Sequence, residues 1–231
     1  MNASKLRLTL LSLLALSLAP AQDQSVKPGI NDKFLDPELK VEDWTSKFET
    51  ESREVFDQRA RIVEEASLKP GMVVADIGAG TGLFTLPFSQ AVGDTGKVYA
   101  VDIAKNFLAH IRARATQAKA PNIEPVLCTE KSVELPENSI DLAFICDTYH
   151  HFEYPTHSLE SLYRAVRPGG ALVLIEFHRI PGVTSDFLLE HVRAGQDVFT
   201  REIEAAGFVL DRELPLDGLE DNYVLRFVRP E

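Results

Sequence analysis

Between Met72 and Val228 short apolar runs alternate with stretches of helical spacing, and this alternation limits the fold more than any other feature of the 231-residue chain. The runs Met72 to Ile77, Lys97 to Ile103, Ile123 to Cys128, Ile140 to Cys146 and Ala171 to Phe177 read as strands. Leu83 to Val92, Lys105 to Ala118 and Thr156 to Val166 read as the helices between them, and Pro168-Gly169-Gly170 as the turn into the fifth strand. A helical region from Ser185 to Ala206, broken near Gly195, precedes a final pair of strands, Val209 to Leu214 and Asn222 to Val228. Strands this short and apolar are buried on both faces, which predicts an α/β fold with a doubly wound, mostly parallel sheet, helices on both faces and a C-terminal antiparallel strand pair. Ligands in such sheets bind beyond the carboxyl ends of the strands, where strand order reverses. The loops after Ile77, Asp102, Cys128 and Cys146 are therefore the places to search.

The segment before this alternation divides into three. Lys5 and Arg7 precede an almost wholly apolar run, Leu8 to Leu18, and Ala19-Pro20-Ala21 places small residues where an A-x-A cleavage site needs them. Residues 1–21 thus read as a secretory signal peptide cut after Ala21, with an exported chain as the consequence and an uncleaved membrane anchor as the alternative. The apolar run is short for a bilayer span, so no stable membrane insertion is expected after cleavage. Residues 22–43, with Pro28, Gly29 and Pro37 among charges, read as an extended arm, and residues 44–231 as one domain. Within that domain, Trp44 to Leu68 has helical spacing up to the stop at Lys69-Pro70-Gly71. The formal net charge of −11 argues against a nucleic-acid partner. Cys128 and Cys146 fall on strands that are not neighbours, so no disulfide is expected and both read as small core residues. No C-x-x-C and no clustered-histidine spacing points to a metal.

The chemistry concentrates in Val73-Val74-Ala75-Asp76-Ile77-Gly78-Ala79-Gly80-Thr81-Gly82, a strand running into a glycine loop and then a helix. Glycines let a ligand approach the main chain, and the free N–H groups at the helix start favour its anionic end. Asp76 ends the strand two residues before the first glycine, and a buried acid there needs a hydrogen-bonding or cationic partner. Leu83 stands where the dinucleotide fingerprint wants Gly or Ala, which disfavours a nicotinamide cofactor. Asp102 ends the second strand, where an acid accepts both ribose hydroxyls of an adenosine, with Ile103 beside the adenine face.

With these residues in view, VADIGAGTG and YAVDI resemble the first two motifs of the class I, Rossmann-like, S-adenosylmethionine-dependent methyltransferases. LPENSIDLAFI at 135–145 and RAVRPGGALVLIE at 164–176 extend the resemblance from about Leu68 to Glu176. The resemblance implies S-adenosyl-L-methionine as cofactor. Asp76 and the loop Gly78, Ala79, Gly80, Thr81 and Gly82 would surround its methionine part, and Asp102 and Ile103 its adenosine. Where the family commonly has an acid near the adenine amino group, this chain has Thr129 with Glu130 beside it. After the fourth strand, Asp147 and Tyr149 become candidates for the cofactor edge of the pocket. Asp147, His150, Glu176 and His178 are the candidate catalytic groups, since His150 is a plausible base and Glu176 and His178 lie at the sheet's carboxyl edge. His191 and Arg193 fit either an acceptor site or a solvated face. The helix carrying Trp44, Phe48, Glu49, Arg53 and Glu54 fits either a lid over the cofactor or core packing. The reading that results is a methyltransferase acting on a small-molecule acceptor. A nicotinamide-dependent oxidoreductase and a catalytically silent S-adenosylmethionine-binding protein are the alternatives.

Overall fold

The computed structural model describes residues 24–50 and 53–231; the expected signal peptide and its cleavage site lie outside them. The strands are β1 (Val73–Ile77), β2 (Lys97–Asp102), β3 (Ile123–Leu127), β4 (Ile140–Cys146), β5 (Val166–Phe177), β6 (Val209–Glu213) and β7 (Asn222–Val228). They form one sheet in the order β3-β2-β1-β4-β5-β7-β6. The first five are parallel, and β7 runs antiparallel to both β5 and β6. The expected doubly wound, Rossmann-like architecture is thus present, with its strand order reversing between β1 and β4.

Side chains alternate across each strand, and the alternation builds two cores. Val74, Val98, Ala100, Leu142, Phe144 and Val173 point to one face, beneath Ile62, Phe88 and Ile111. Ala75, Ile77, Val101, Ala143, Ile145 and Leu174 point to the other, beneath Leu159, Leu162, Phe199 and Ile203. Helices α4 (Arg59–Glu65), α5 (Thr85–Val92) and α6 (Lys105–Ala118) cover the first face; α7 (Pro155–Ala165) and α9 (Gln196–Ala205) cover the second. Each fully buried Phe or Leu in these layers contributes about 1.5–3 kcal/mol over an exposed one, which is why apolar strands settle at the sheet centre.

Three expectations need correction. The stretch Trp44 to Leu68 is not one helix: α2 (Val41–Phe48) and α3 (Glu54–Asp57) precede α4 as separate pieces. Trp44 and Phe48 pack with Phe34 and Phe107, whereas Val55 and Ile62 belong to the main core, and one straight helix cannot serve both surfaces. Arg53 marks the break, with Nη1–H donating to the Phe48 carbonyl 3.1 Å away. The arm at 22–43 is not merely extended. It carries α1 (Asp32–Leu35) and the start of α2, and it docks through Val26 N–H on the Glu153 carbonyl (2.9 Å) and Asn31 Nδ2–H on the His151 carbonyl (3.0 Å). Finally, Pro168-Gly169-Gly170 does not precede β5 but bulges within it, between the pairs Ile140–Val166 and Leu142–Ala171. No helix among the described residues is long and apolar enough to cross a membrane.

Candidate active site

The carboxyl ends of β1, β2 and β4 open into a cavity of about 340 Å³, lined among others by Gly78, Gly80, Asp102, Asp147, Thr148 and His150. A smaller recess of about 70 Å³ is lined by Asp76, Ala79, Thr81, Arg53, Asp147 and Thr148. The larger volume lies in the range of small-molecule sites.

The glycine loop defines the floor. Gly78, Gly80 and Gly82 all have positive φ, and Gly78 approaches the β4 loop so closely that an added Cβ would stand 2.1 Å from Thr148 Cγ2. Asp76 is buried and accepts from Thr85 Oγ1–H at 2.6 Å, which supplies the partner its burial requires. Burial pushes its carboxyl up to about 7 against the lowering effect of that bond, and the charge of Asp102 raises it further. Asp102 accepts from Gly80 N–H (2.8 Å) and Ala104 N–H (2.7 Å), one bond to each oxygen. It therefore holds the loop while keeping lone pairs for a ligand. Burial raises it to about 6, opposed by those backbone bonds. Ile103, Thr129 and Glu130 also line the large cavity. Thr81 Oγ1 is buried with no hydrogen-bond partner among the described residues, an unfilled acceptor and donor at the recess.

At the tip of β4, Asp147 has φ +47° and pairs with Arg53 on one oxygen, while Asn222 Nδ2–H donates to the other at 2.7 Å. Burial raises Asp147 to about 6, with the Arg53 charge pulling the other way. Sequence reading singled out Arg53 only as part of a helix and missed Asn222 and Thr148, because their approach to the site is a matter of β5–β7 pairing and loop contact. The aromatic wall comes from the N-terminal segment: Phe34, Trp44 and Phe48 line the cavity beside Phe107 of α6, with Trp44 and Phe48 centroids 5.3 Å apart. Glu49 reaches Arg114 at 2.6 Å, and Arg114 donates in turn to the Thr81 carbonyl at 2.9 Å, tying this wall to the glycine loop. Glu54 instead accepts from the backbone N–H groups of Glu220 and Asp221, outside the cavity.

The four catalytic candidates part company. Asp147 and His150 line the cavity. Glu176 is fully buried behind His150; its Oε2 accepts from the His150 backbone N–H (3.1 Å) and sits 2.8 Å from His150 Nδ1. It touches the ring, not the cavity. His178 does not belong to the site: its backbone N–H donates to the Asp221 carbonyl and its ring leans on Tyr223. Tyr149 is likewise corrected from the cofactor edge to the core. Its ring packs on Phe152 and Phe199, and its hydroxyl donates to Glu202 Oε2 at 2.7 Å. A one-residue step in the 3-10 turn Tyr149–His151 sends adjacent side chains in different directions. Arg193 is structural as well, paired with Glu202 through both terminal nitrogens (2.8 and 2.6 Å). His191, by contrast, turns into the cavity, as does His151. Burial, and the charge of the neighbouring histidines and lysines, lower His151 to about 2 and His191 to about 4. Cys128 and Cys146 are both free and half-buried, and each packs against a core layer as expected; Cys128 also lines the cavity, and burial pushes its thiol up to about 12.

A glycine loop beneath two strand-tip carboxylates, at the reversal point of a parallel sheet, defines a nucleoside-binding Rossmann-like domain. Residues 75–174 match the family model of the methyltransferase domain. Over 123 residues the chain is 31% identical to the ubiquinone/menaquinone biosynthesis C-methyltransferase UbiE of Hydrogenovibrio crunogenus, which covers 53% of this chain and 48% of that protein. The corresponding enzyme of Burkholderia orbicola is 30% identical over 122 residues, covering 53% and 50%. The chain thus spans about half the length of the curated relatives it matches. Among solved structures, an S-adenosylmethionine-dependent methyltransferase from Aquifex aeolicus superposes with a TM-score of 0.72 at 26% identity, over 81% of this chain and 97% of that one. Residues 75–174 thus match a methyltransferase domain, and the chain has the fold of the class I S-adenosylmethionine-dependent methyltransferases it resembles.

Proposed function

We propose that the protein transfers the methyl group of S-adenosyl-L-methionine to a small-molecule acceptor held at the histidine end of the large cavity. The observation that carries this reading is the placement of Asp102 in the cavity and Asp76 in the adjoining recess, joined by the loop Gly78 to Gly82. The residues fit the cofactor: the recess offers a carboxylate and the unpartnered Thr81 hydroxyl to a polar, cationic group, and Gly80 has no β-carbon to fill the cradle. When bound, the cofactor supplies an electrophilic methyl on a sulfonium.

The protein's own work is positioning and exclusion of water, which can supply roughly 7–11 kcal/mol of a barrier. Asp102 offers its remaining lone pairs to ribose hydroxyls, and Ile103 gives an apolar edge for a base. Thr129 and Glu130 are both at hand for polar contact with that base. Asp76 and Asp147 bring negative charge toward a cation, and Phe48 and Trp44 present aromatic faces to it. At the acceptor end, donation by His150 Nδ1 to Glu176 fixes the ring and leaves Nε2 with a lone pair. The acidic balance of the surface and the mainly apolar cavity wall favour a small, largely uncharged acceptor over nucleic acid. Calorimetry with S-adenosylmethionine and S-adenosylhomocysteine tests the reading: micromolar binding of both is expected, and no heat or thermal shift at millimolar ligand overturns it. We further propose that the protein is exported after cleavage at Ala21; an N-terminus at Gln22 in an extracytoplasmic fraction supports this, and an intact Met1 there points to the anchored alternative.

A further inference from the structure

The methyl-transfer reading leaves one arrangement unused. His150 and His151 follow β4 and His191 ends α8 (Asp186–His191), some forty residues away, yet one nitrogen from each ring falls within 4.8 Å of the others. The ring centroids are 4.4, 4.9 and 5.1 Å apart, and all three rings line the large cavity. Hydrogen bonding does not explain the cluster: His151 Nδ1 is buried with no partner among the described residues. The rings are held from behind. Glu176 grips His150 Nδ1, Phe34 meets the His151 ring edge-on at 5.3 Å, and Phe187 stacks on His191 at 5.3 Å and 11°.

We propose that His150, His151 and His191 bind a single divalent metal ion of the zinc class, leaving a fourth coordination position open to the cavity. Tetrahedral zinc with Zn–N bonds of about 2.0–2.1 Å brings three imidazole centroids to roughly 5 Å from one another, close to the spacing found. Nitrogens up to 4.8 Å apart must close to roughly 3.4 Å on binding, so the rings must turn toward the ion. Borderline cations of this class prefer imidazole, while Mg²⁺ and Ca²⁺ prefer oxygen. The Glu176–His150 pair is the carboxylate–histidine arrangement that orients a ligating imidazole and raises its basicity. The same carboxylate offsets part of the ion's charge, against the opposing charges of Lys27, bonded to the carbonyls of Glu190 and His191, and Lys33, over the rings of Phe34 and Trp44. An anionic oxygen or sulfur of an acceptor fits the open position, because metal coordination favours the deprotonated form.

The test is metal binding by the full chain, stripped with chelator and without S-adenosylmethionine. Titration with Co²⁺ is expected to give one ion per chain with the intense visible absorption of a four-coordinate site, and Zn²⁺ is expected to displace it. His191→Ala, at a half-exposed position, should weaken Zn²⁺ by about 100-fold or more, and Glu176→Gln by about 10–100-fold. His110→Ala on α6 should leave binding unchanged, and circular dichroism should show each variant folded. Absence of stoichiometric binding by the unaltered chain at millimolar Co²⁺ and Zn²⁺ overturns the proposal. So does affinity within threefold of the unaltered chain in both His191→Ala and His151→Ala. Cofactor calorimetry on the same stripped chain separates this outcome from failure of the methyltransferase reading.

Discussion

Thr148, two residues beyond β4, occupies the space where a side chain on Gly78 would have to go. An added Cβ would lie 2.1 Å from Thr148 Cγ2 and 2.7 Å from its Oγ1, at a backbone φ of +69°. The loops after β1 and β4 are interlocked there, and the recess between them exists because one partner has no side chain. Gly78→Ala should therefore cost about 1–3 kcal/mol by overpacking and about 1–3 kcal/mol more in backbone strain. Urea denaturation should show that loss, with cofactor affinity falling in parallel. Adding Thr148→Ala should recover only part of the overpacking share, because Thr148 Cβ itself lies 2.8 Å from the added Cβ, and should leave the strain.

The pairing of Arg53 with Asp147 gives a pH-dependent prediction. Arg53→Met leaves Asp147 buried with Asn222 as its remaining side-chain partner. Because Arg53 is a quarter exposed, the loss at pH 8 should be about 1–3 kcal/mol, below the 3–5 kcal/mol of a fully buried broken pair. Asp147 already titrates near 6, so at pH 5 its carboxyl is protonated and the variant should approach the unaltered protein. Unfolding curves at the two pH values check this; equal losses at both would contradict it.

Asp76 and Asp102 have pKa values raised to about 7 and about 6, so the folded chain holds protons that the unfolded chain has released above pH 4. Their contribution to stability is complete below the unfolded value and is lost as pH rises through 6 to 7. Asp76→Asn should accordingly raise the thermal midpoint of the ligand-free protein at pH 8 and flatten its pH dependence. A cationic ligand pulls the Asp76 proton off, so S-adenosylmethionine should bind more tightly at pH 8 than at pH 6. Proton release should appear as a buffer-dependent calorimetric enthalpy.

Tyr149 separates a structural role from a binding one. Tyr149→Phe removes the bond to Glu202, which keeps Arg193, and should cost about 0.5–1.5 kcal/mol. Cofactor affinity should stay within twofold in calorimetry, since the hydroxyl points into the core; a tenfold loss would place it back at the pocket.

What could be read along the chain is what neighbours in sequence decide. Strand alternation, the glycine loop, Asp76 and Asp102 at successive strand tips and the break at Gly195 follow from local periodicity and backbone freedom, and each stands in the fold where it was expected. What could not be read depends on which distant surface a side chain meets. Helical spacing at Trp44 to Leu68 holds no sign that Phe48 faces the cavity wall while Val55 faces the core, so the break at Arg53 belongs to packing. Tyr149 and His150 are adjacent letters, but Glu202 draws one into the core and Glu176 holds the other at the cavity. His191 meets His150 and His151 because the chain after β5 folds back over the sheet's carboxyl edge. The sequence by itself determined the sheet and the cradle, whose causes are short-range; tertiary structure decided the acceptor end, where residues forty apart converge through packing over the sheet.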